Sequence, residues 1–280
     1  MDWSFRNRSV TIGARPLVMG IVNVTRDSFS DGGRFVATDA AVEHALRLAA
    51  EGADFLDIGG ESSRPGSKPV SLDDELARLI PVVRGVAGRS DVPISVDTTK
   101  AEVARQALSA GAAVVNDITA ATGDANMVDV VREFDAGAIL MHMQGTPETM
   151  QASPTYGDVV VEVRDYLARR LEVLIAAGIP AERIAIDPGI GFGKTSAHNL
   201  TLLRHLDRLS ALGRPVVLGV SRKGFVGEIA RRPVGDRLAA SLAAACYCAA
   251  HGSAHILRVH DVAATVDAAK VVGAIAGIGK

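Results

Sequence analysis

Residues 94–117 read ISVDTTKAEVARQALSAGAAVVND, and they hold one complete structural unit. Ile94–Val96 is a short apolar run that stops at Asp97. A helical stretch follows near residues 100–109, then a glycine, then a second apolar run, Ala113–Val115, that stops at Asn116 and Asp117.

The same unit recurs in both directions along the chain. Leu17–Val22, Asp54–Ile58, Ala138–Met141, Ile184–Ile186, Val216–Val220 and Ile256–Val259 are further runs of this kind. Each is short, rich in Leu and β-branched residues, and free of strict alternation, which is how strands buried on both faces of a parallel sheet read. Between them, Thr38-Asp39 is expected to cap a helix that carries Val42, Ala45, Leu46 and Ala49 on one face and ends near Gly52. Ser71, with Asp74 three residues on, is expected to cap a helix over Leu72, Leu76, Leu79, Ile80 and Val83, with Pro81 kinking or stopping it. Further helical stretches are expected near 124–134, 158–177, 197–211, 223–250 and 261–276.

Eight strands thus alternate with eight helical stretches, with no linker or low-complexity segment between them. An open doubly wound sheet is the rival architecture, but eight units in about 250 residues match a closed (β/α)₈ TIM barrel better. One α/β domain over 1–280 is expected, its core about 16–277, with residues 1–15 as an N-terminal extension.

Composition agrees and narrows the function. Apolar residues make up 48% and charged residues 22%, enough for a large core and unlike a disordered chain. The net charge of −2 provides no basic stripe, so nucleic acid is not an expected partner. The opening MDWSFRNRSV is too polar for a signal peptide, and no run approaches a membrane span of ~20 residues. A soluble, cytoplasmic protein is expected. The two cysteines, Cys246 and Cys248, lie two apart in a helical run and are expected to be buried thiols, not a disulfide or metal clip.

The strand ends carry the chemistry, because they form the active-site rim of such barrels. In chain order they present Asn23, Ser63 with Arg64, Asp97, Asn116-Asp117, His142, Asp187, Ser221-Arg222-Lys223, and Arg258 with His260. Any one of these has an ordinary reading. Asp97 and Asp117 could be turn residues, and His142 a packed rim histidine. Eight consecutive strands ending this way form a site. Asp97, Asn116 and Asp187 offer acceptors and one amide, which suits a flat heterocycle with N–H donors and a carbonyl. Lys223, Arg258 and His260 come from the last two strands, where barrels often hold phosphate. The loop GIGFGK lacks Walker spacing, so its glycines are expected to permit close approach to a ligand. No zinc or iron ligand pattern is present.

GIVNVTRDSFSDGG, DIGGESSRPG, SVDT, NDI, MHMQGTP, DPGIGFGKT, SRK and RVHDV resemble, in order, the motif series of the dihydropteroate synthase family, across residues 19–262. The resemblance implies a transferase of folate biosynthesis that joins 4-aminobenzoate to 6-hydroxymethyl-7,8-dihydropterin diphosphate, with Mg²⁺ as cofactor, inhibition by sulfonamides and a homodimer. It implies that Asn23 ligates Mg²⁺, that Ser63, Asp97, Asn116, Asp187, Lys223, Arg258 and His260 take the pterin diphosphate, and that Asp97, Lys223 and Arg258 are catalytic. It further implies that Ser28, Phe29, Arg64, Pro65, Phe192, Ser221 and Gly224 surround 4-aminobenzoate. Gly224 departs from the pattern, since several family members have Ser there. A carboxylate contact would then fall to backbone N–H groups at a helix start. Pterin-binding methyltransferases of corrinoid pathways share the barrel and the acceptors but need no diphosphate site.

Overall fold

The computed structural model describes residues 1–13, 15–24 and 33–275, with backbone only for 33–36. An antiparallel hairpin, β1 (Asp2–Phe5) and β2 (Arg8–Thr11), precedes eight parallel strands. These are β3 (Leu17–Asn23), β4 (Phe55–Gly59), β5 (Ile94–Asp97), β6 (Val114–Asp117), β7 (Gly137–Met141), β8 (Ile184–Asp187), β9 (Val217–Leu218) and β10 (Ile256–Val259). Their order is β8-β7-β6-β5-β4-β3-β10-β9. The barrel closes where β8 meets β9, through a parallel bridge from Ile186 to Val216 and an Ile186 N–H donated to the Pro215 carbonyl at 2.8 Å.

The helices are α1 (Gly33–Ala50), α2 (Leu72–Ala87), α3 (Ala101–Ser109), α4 (Met127–Glu133), α5 (Val159–Ala176), α6 (Ser196–Arg204), α7 (Asp207–Ser210), α8 (Gly224–Ala230), α9 (Leu238–Ala250) and α10 (Val262–Ile275). Three expectations are corrected. Thr38-Asp39 lies inside α1, which starts at Gly33. Pro81 does not stop α2: the ring is exposed, and buried Leu79, Val82 and Val83 anchor the helix on both sides of the missing N–H. The stretch 223–250 is two helices, α8 and α9, parted by a 3₁₀ turn at Val234–Asp236 behind Pro233. The Ser71 cap holds, with its hydroxyl accepting the Asp74 N–H at 3.2 Å. Cys248 is a buried free thiol, and Cys246 a half-buried one. No described helix is long and apolar enough to cross a membrane.

The strands sort their side chains by a period of two. Val18, Leu56, Ile58, Val96, Val115, Leu140, Ile186, Leu218 and Leu257 face outward, into one core shared with the helices. The alternate set faces the barrel interior. Its lower half is apolar: Leu17, Met19, Phe55, Val114, Ile139, Ala185, Val217 and Ile256. Its upper half turns polar, at Asp57, Asp97, Asn116, Asp187 and Arg258.

The hairpin closes the lower end. Trp3 and Phe5 are fully buried in the same cluster as the lower barrel residues. Their rings lie 5.1 and 5.5 Å from the Phe55 ring, and Trp3 Nε1 donates to the Arg183 carbonyl at 3.1 Å. Arg6 latches the turn, donating to the carbonyls of Leu108 and Ala112 at 3.0 and 2.9 Å. The N-terminal segment is thus a plug, more than the extension its sequence suggests. Trp3→Ala should cost about 3–5 kcal/mol through the cavity it leaves. Because the plug lies at the end opposite the rim, urea unfolding should show that loss while turnover at low temperature stays near wild type. A loss of turnover without a shifted urea midpoint would contradict this division.

Candidate active site

The floor of the rim is one arginine shared by two carboxylates. Arg258 Nε donates to Asp57 Oδ2 at 2.6 Å, and Nη2 donates to Asp97 Oδ2 at 2.7 Å. Asn116 Nδ2 donates to the same Asp57 oxygen at 3.1 Å. These groups meet because Asp57, Asp97, Asn116 and Arg258 all occupy inward positions on β4, β5, β6 and β10. Burial opposes the Arg258 charge, but Asp57 and Asp97 outweigh it and hold the guanidinium above its ordinary pKa. Burial pushes Asp97 up to about 7, with Arg258 opposing and Asp57 adding to the rise. Asp57 is fully buried, and its Oδ1 has no partner among the described residues, as is true of Ser95 Oγ at the facing register position.

Asp187 ends β8, where its Oδ1 accepts the Gly189 N–H at 2.7 Å. Burial raises its pKa, while that N–H, Lys223 and Arg258 pull the other way. Gly189 opens a loop lying flat on the loop after β7. Its φ is +65°, and a Cβ there would stand 1.9 Å from the His142 carbonyl oxygen. Gly193, at φ +60°, would bring a Cβ to 2.4 Å from the Gln144 carbonyl oxygen. No L side chain fits either contact. The turn sets the Phe192 ring 4.1 Å from Lys223 Nζ, a cation–π distance. Burial, with Arg258 nearby, lowers Lys223 to about 8.

On the last two strands, Ser221 Oγ accepts the His260 N–H at 3.2 Å and lies 3.0 Å from its Nδ1. Burial, then Arg222 and Arg258, lowers His260 to about 4. The free protein therefore holds this residue neutral at pH 7, which corrects its grouping with the cations. Arg222 turns away at φ 57° and pairs with Asp261 at 2.5 and 3.1 Å. Ser63 is half-buried on the loop after β4, while Arg64 and Pro65 are exposed beside it. That loop joins the one after β7 through a Gly66 N–H donated to the Pro147 carbonyl at 2.9 Å. Asn23 is exposed at the end of β3, level with Gly59. The Gly224 Cβ position is open, with nothing within 4 Å. Ser28 and Phe29 fall outside the described residues.

Two rim residues have the ordinary role. Asp117 accepts Thr119 N–H and Oγ1, both at 2.7 Å, and Ala121 N–H at 3.0 Å, a turn staple. His142 is packed against Tyr166, its ring lowered to about 3 by burial and Lys194. Three buried charges do not stand out in the sequence. Asp57 sits inside the strand FLDIG, where its two-residue spacing from Phe55 was the available signal. Lys194 ends the GIGFGK loop. Glu75 bonds Thr98 Oγ1 at 2.8 Å and Lys100 Nζ at 2.6 Å, and Lys100 in turn holds Glu61 at 2.5 Å beneath the Ser63 loop.

A closed parallel barrel with acceptors and a buried arginine at its strand ends is the frame of a pterin-binding enzyme, and a family model described as pterin binding enzyme matches residues 19–260. A dihydropteroate synthase of Synechocystis sp. is 46% identical over 94% of this chain and 91% of its own. The Xanthomonas albilineans dihydropteroate synthase, solved with 4-aminobenzoic acid, superposes with a TM-score of 0.92 at 47% identity over 99% of both chains. The Yersinia pestis enzyme, solved with a sulfonamide drug complex, gives 0.92 at 42% identity over 99% of this chain and all of its own. The chain belongs to the dihydropteroate synthase family of pterin-binding enzymes.

The floor generates its own test. Asp57→Ala would leave the Arg258 charge in a dry interior with one carboxylate, which should destabilise the fold by about 3–5 kcal/mol. Asp57→Asn, which keeps the shape, should cost less. Urea midpoints decide it: a loss below about 1 kcal/mol for the alanine variant would mean that water already solvates the guanidinium.

Proposed function

We propose that this chain condenses 6-hydroxymethyl-7,8-dihydropterin diphosphate with 4-aminobenzoate, giving 7,8-dihydropteroate and diphosphate. The Arg258 floor, with Asp97, Asn116 and Asp187 converging on it, is the observation that carries the reading. Two carboxylates and an amide at fixed positions match a flat ring with an amidine-like edge. Asp97 is held by Arg258 in the free protein, and Asp57 keeps a carboxylate on that guanidinium when a ligand N–H takes the Asp97 oxygen. Arg258 then lies along the ring, and Lys223 donates to its carbonyl side.

The reaction breaks the bond from the exocyclic carbon to the diphosphate oxygen and forms a bond from that carbon to the aniline nitrogen. An electron-rich dihydropterin carries positive charge at this carbon, and the Asp97 carboxylate beside it favours that charge. The aromatic amine is nucleophilic while neutral and sheds its proton after attack. The leaving diphosphate faces Ser63, Arg258 and His260, whose ring is positioned by Ser221. Arg64, Pro65, Phe192, Ser221 and Gly224, with Ser28 and Phe29, would surround 4-aminobenzoate and exclude water.

Among the described residues no group of three or more His, Cys, Asp or Glu could hold a metal by itself. Asn23 fits Mg²⁺ differently: a neutral amide oxygen, exposed at the β3 end, suits a hard cation that keeps its waters and arrives with phosphate. When bound, the ion would offset charge on the diphosphate. A homodimer is part of the same reading. Ile229 and Tyr247 are exposed on α8 and α9, along an apolar groove shared with Leu200 of α6. A reducing cytoplasm suits the free Cys246 and Cys248. Diphosphate release, followed by a coupled assay with and without 4-aminobenzoate, tests the reaction: release that ignores the amine would refute it.

Asp187→Asn would turn one acceptor into a clashing donor, so affinity for the pterin diphosphate should fall by about 3 kcal/mol or more, over roughly 100-fold. Titration calorimetry should record this with the fold intact, and wild-type affinity would sink the assignment. Sulfonamides should compete with 4-aminobenzoate, since the SO₂ group can stand in for the carboxylate in the Phe192 slot. Sulfamethoxazole inhibition that added 4-aminobenzoate cannot relieve would show that the second pocket lies elsewhere.

A further inference from the structure

Lys194 is buried to 3% exposure, and its ammonium bonds no carboxylate among the described residues. Its Nζ lies 3.0 Å from His142 Nδ1, 3.3 Å from the His142 carbonyl oxygen and 2.9 Å from the Phe192 carbonyl oxygen. An ammonium in such a place is costly unless its hydrogen bonds are needed. All three acceptors belong to the two loops that lie on each other at Gly189 and Gly193.

We propose that Lys194 is a positioning residue for the condensation: it clasps the loop after β8 to the loop after β7 and so fixes Phe192 at the 4-aminobenzoate slot. Other bonds hold neighbouring parts of the loop. Tyr156 Oη donates to the Gly193 carbonyl at 2.7 Å, Gln151 Nε2 to the Gly191 carbonyl at 2.7 Å, and the Gly191 N–H to Asn199 Oδ1 at 2.8 Å. Lys194 alone among these reaches the Phe192 carbonyl. The Phe192 N–H closes the turn onto Gly189 at 3.0 Å, and its ring packs with Met141 and Met150 while facing Lys223. Shifting that carbonyl therefore moves the ring away from both the slot and the Lys223 ammonium. Burial, opposed by Asp187 and aided by Lys223, lowers Lys194 to about 7, while His142 stays neutral and can accept at Nδ1. A neutral amine still donates to two carbonyls, so the clasp survives loss of the charge.

The inference rests on Phe192 contacting 4-aminobenzoate, and a double-mutant cycle separates the two claims. Lys194→Met keeps the length and removes the donors. Its KM for 4-aminobenzoate should rise about tenfold or more, while the Kd for the pterin diphosphate stays within about threefold. Combined with Phe192→Ala, it should add less than about twofold to the KM of Phe192→Ala alone, because coupled residues are not additive. If Phe192→Ala leaves KM unchanged, the reading of the slot has failed and the clasp has no purpose. If Phe192→Ala raises KM but Lys194→Met does not, or the two losses multiply, only the clasp is refuted. Should Lys194→Met not fold, Lys194→Gln, which keeps an uncharged N–H donor group on a shorter side chain, takes its place in the cycle: a smaller rise that Phe192→Ala absorbs supports the clasp, and no rise refutes it.

Discussion

Everything at the rim depends on a guanidinium that cannot leave the barrel floor. Arg258 is buried between Asp57 and Asp97, and its Nε and Nη2 each hold a different carboxylate. A bidentate cation of this kind fixes three strands at once, β4, β5 and β10, at the level where apolar packing stops. It also decides the state of its neighbours. Burial, with Asp57, pushes the Asp97 carboxyl up while Arg258 opposes the rise, and burial, with Arg258 close by, lowers the basicity of Lys223.

Such a floor is stable only because the rest of the interior is apolar and closed. The lower barrel is filled by strand side chains and sealed by Trp3 and Phe5 from the hairpin. Water that entered from below would solvate Asp57 and weaken its hold on Arg258, since electrostatic interactions strengthen in a dry interior. The strand side chains of the lower barrel, and not the plug alone, keep that water out, so the hairpin bears on stability while the apolar strand layer keeps the floor dry.

The sequence made the frame legible wherever a local rule applied. Apolar runs marked the eight barrel strands, and the polar residue after a run marked the rim at Asp97, Asn116 and Asp187, while Arg258 stood out as the one charge inside the last run. What escaped it depends on long-range pairing. Asp57 looks like a misplaced charge until Arg258, 201 residues later, is brought against it. Lys194 reads as the end of a glycine loop until His142 faces it. The hairpin carries too few residues to announce a plug, whereas the break between α8 and α9 had its local signal in Pro233 and Gly235, set between the helix formers Arg231-Arg232 and Leu238–Ala240. The His260 ring kept its place on the rim but not its charge, because burial is invisible in a motif.

The crossing of backbones at Gly189 and Gly193 has an evolutionary side. Any coding change at either position adds at least one carbon where a carbonyl oxygen already stands, so that wall of the pocket is closed to drift. Arg64 and Pro65 stand exposed on the opposite loop and face no such obstacle. Lineages that alter how this pocket receives an aromatic acid have one wall free to vary and one that is fixed, and their sequences should diverge accordingly.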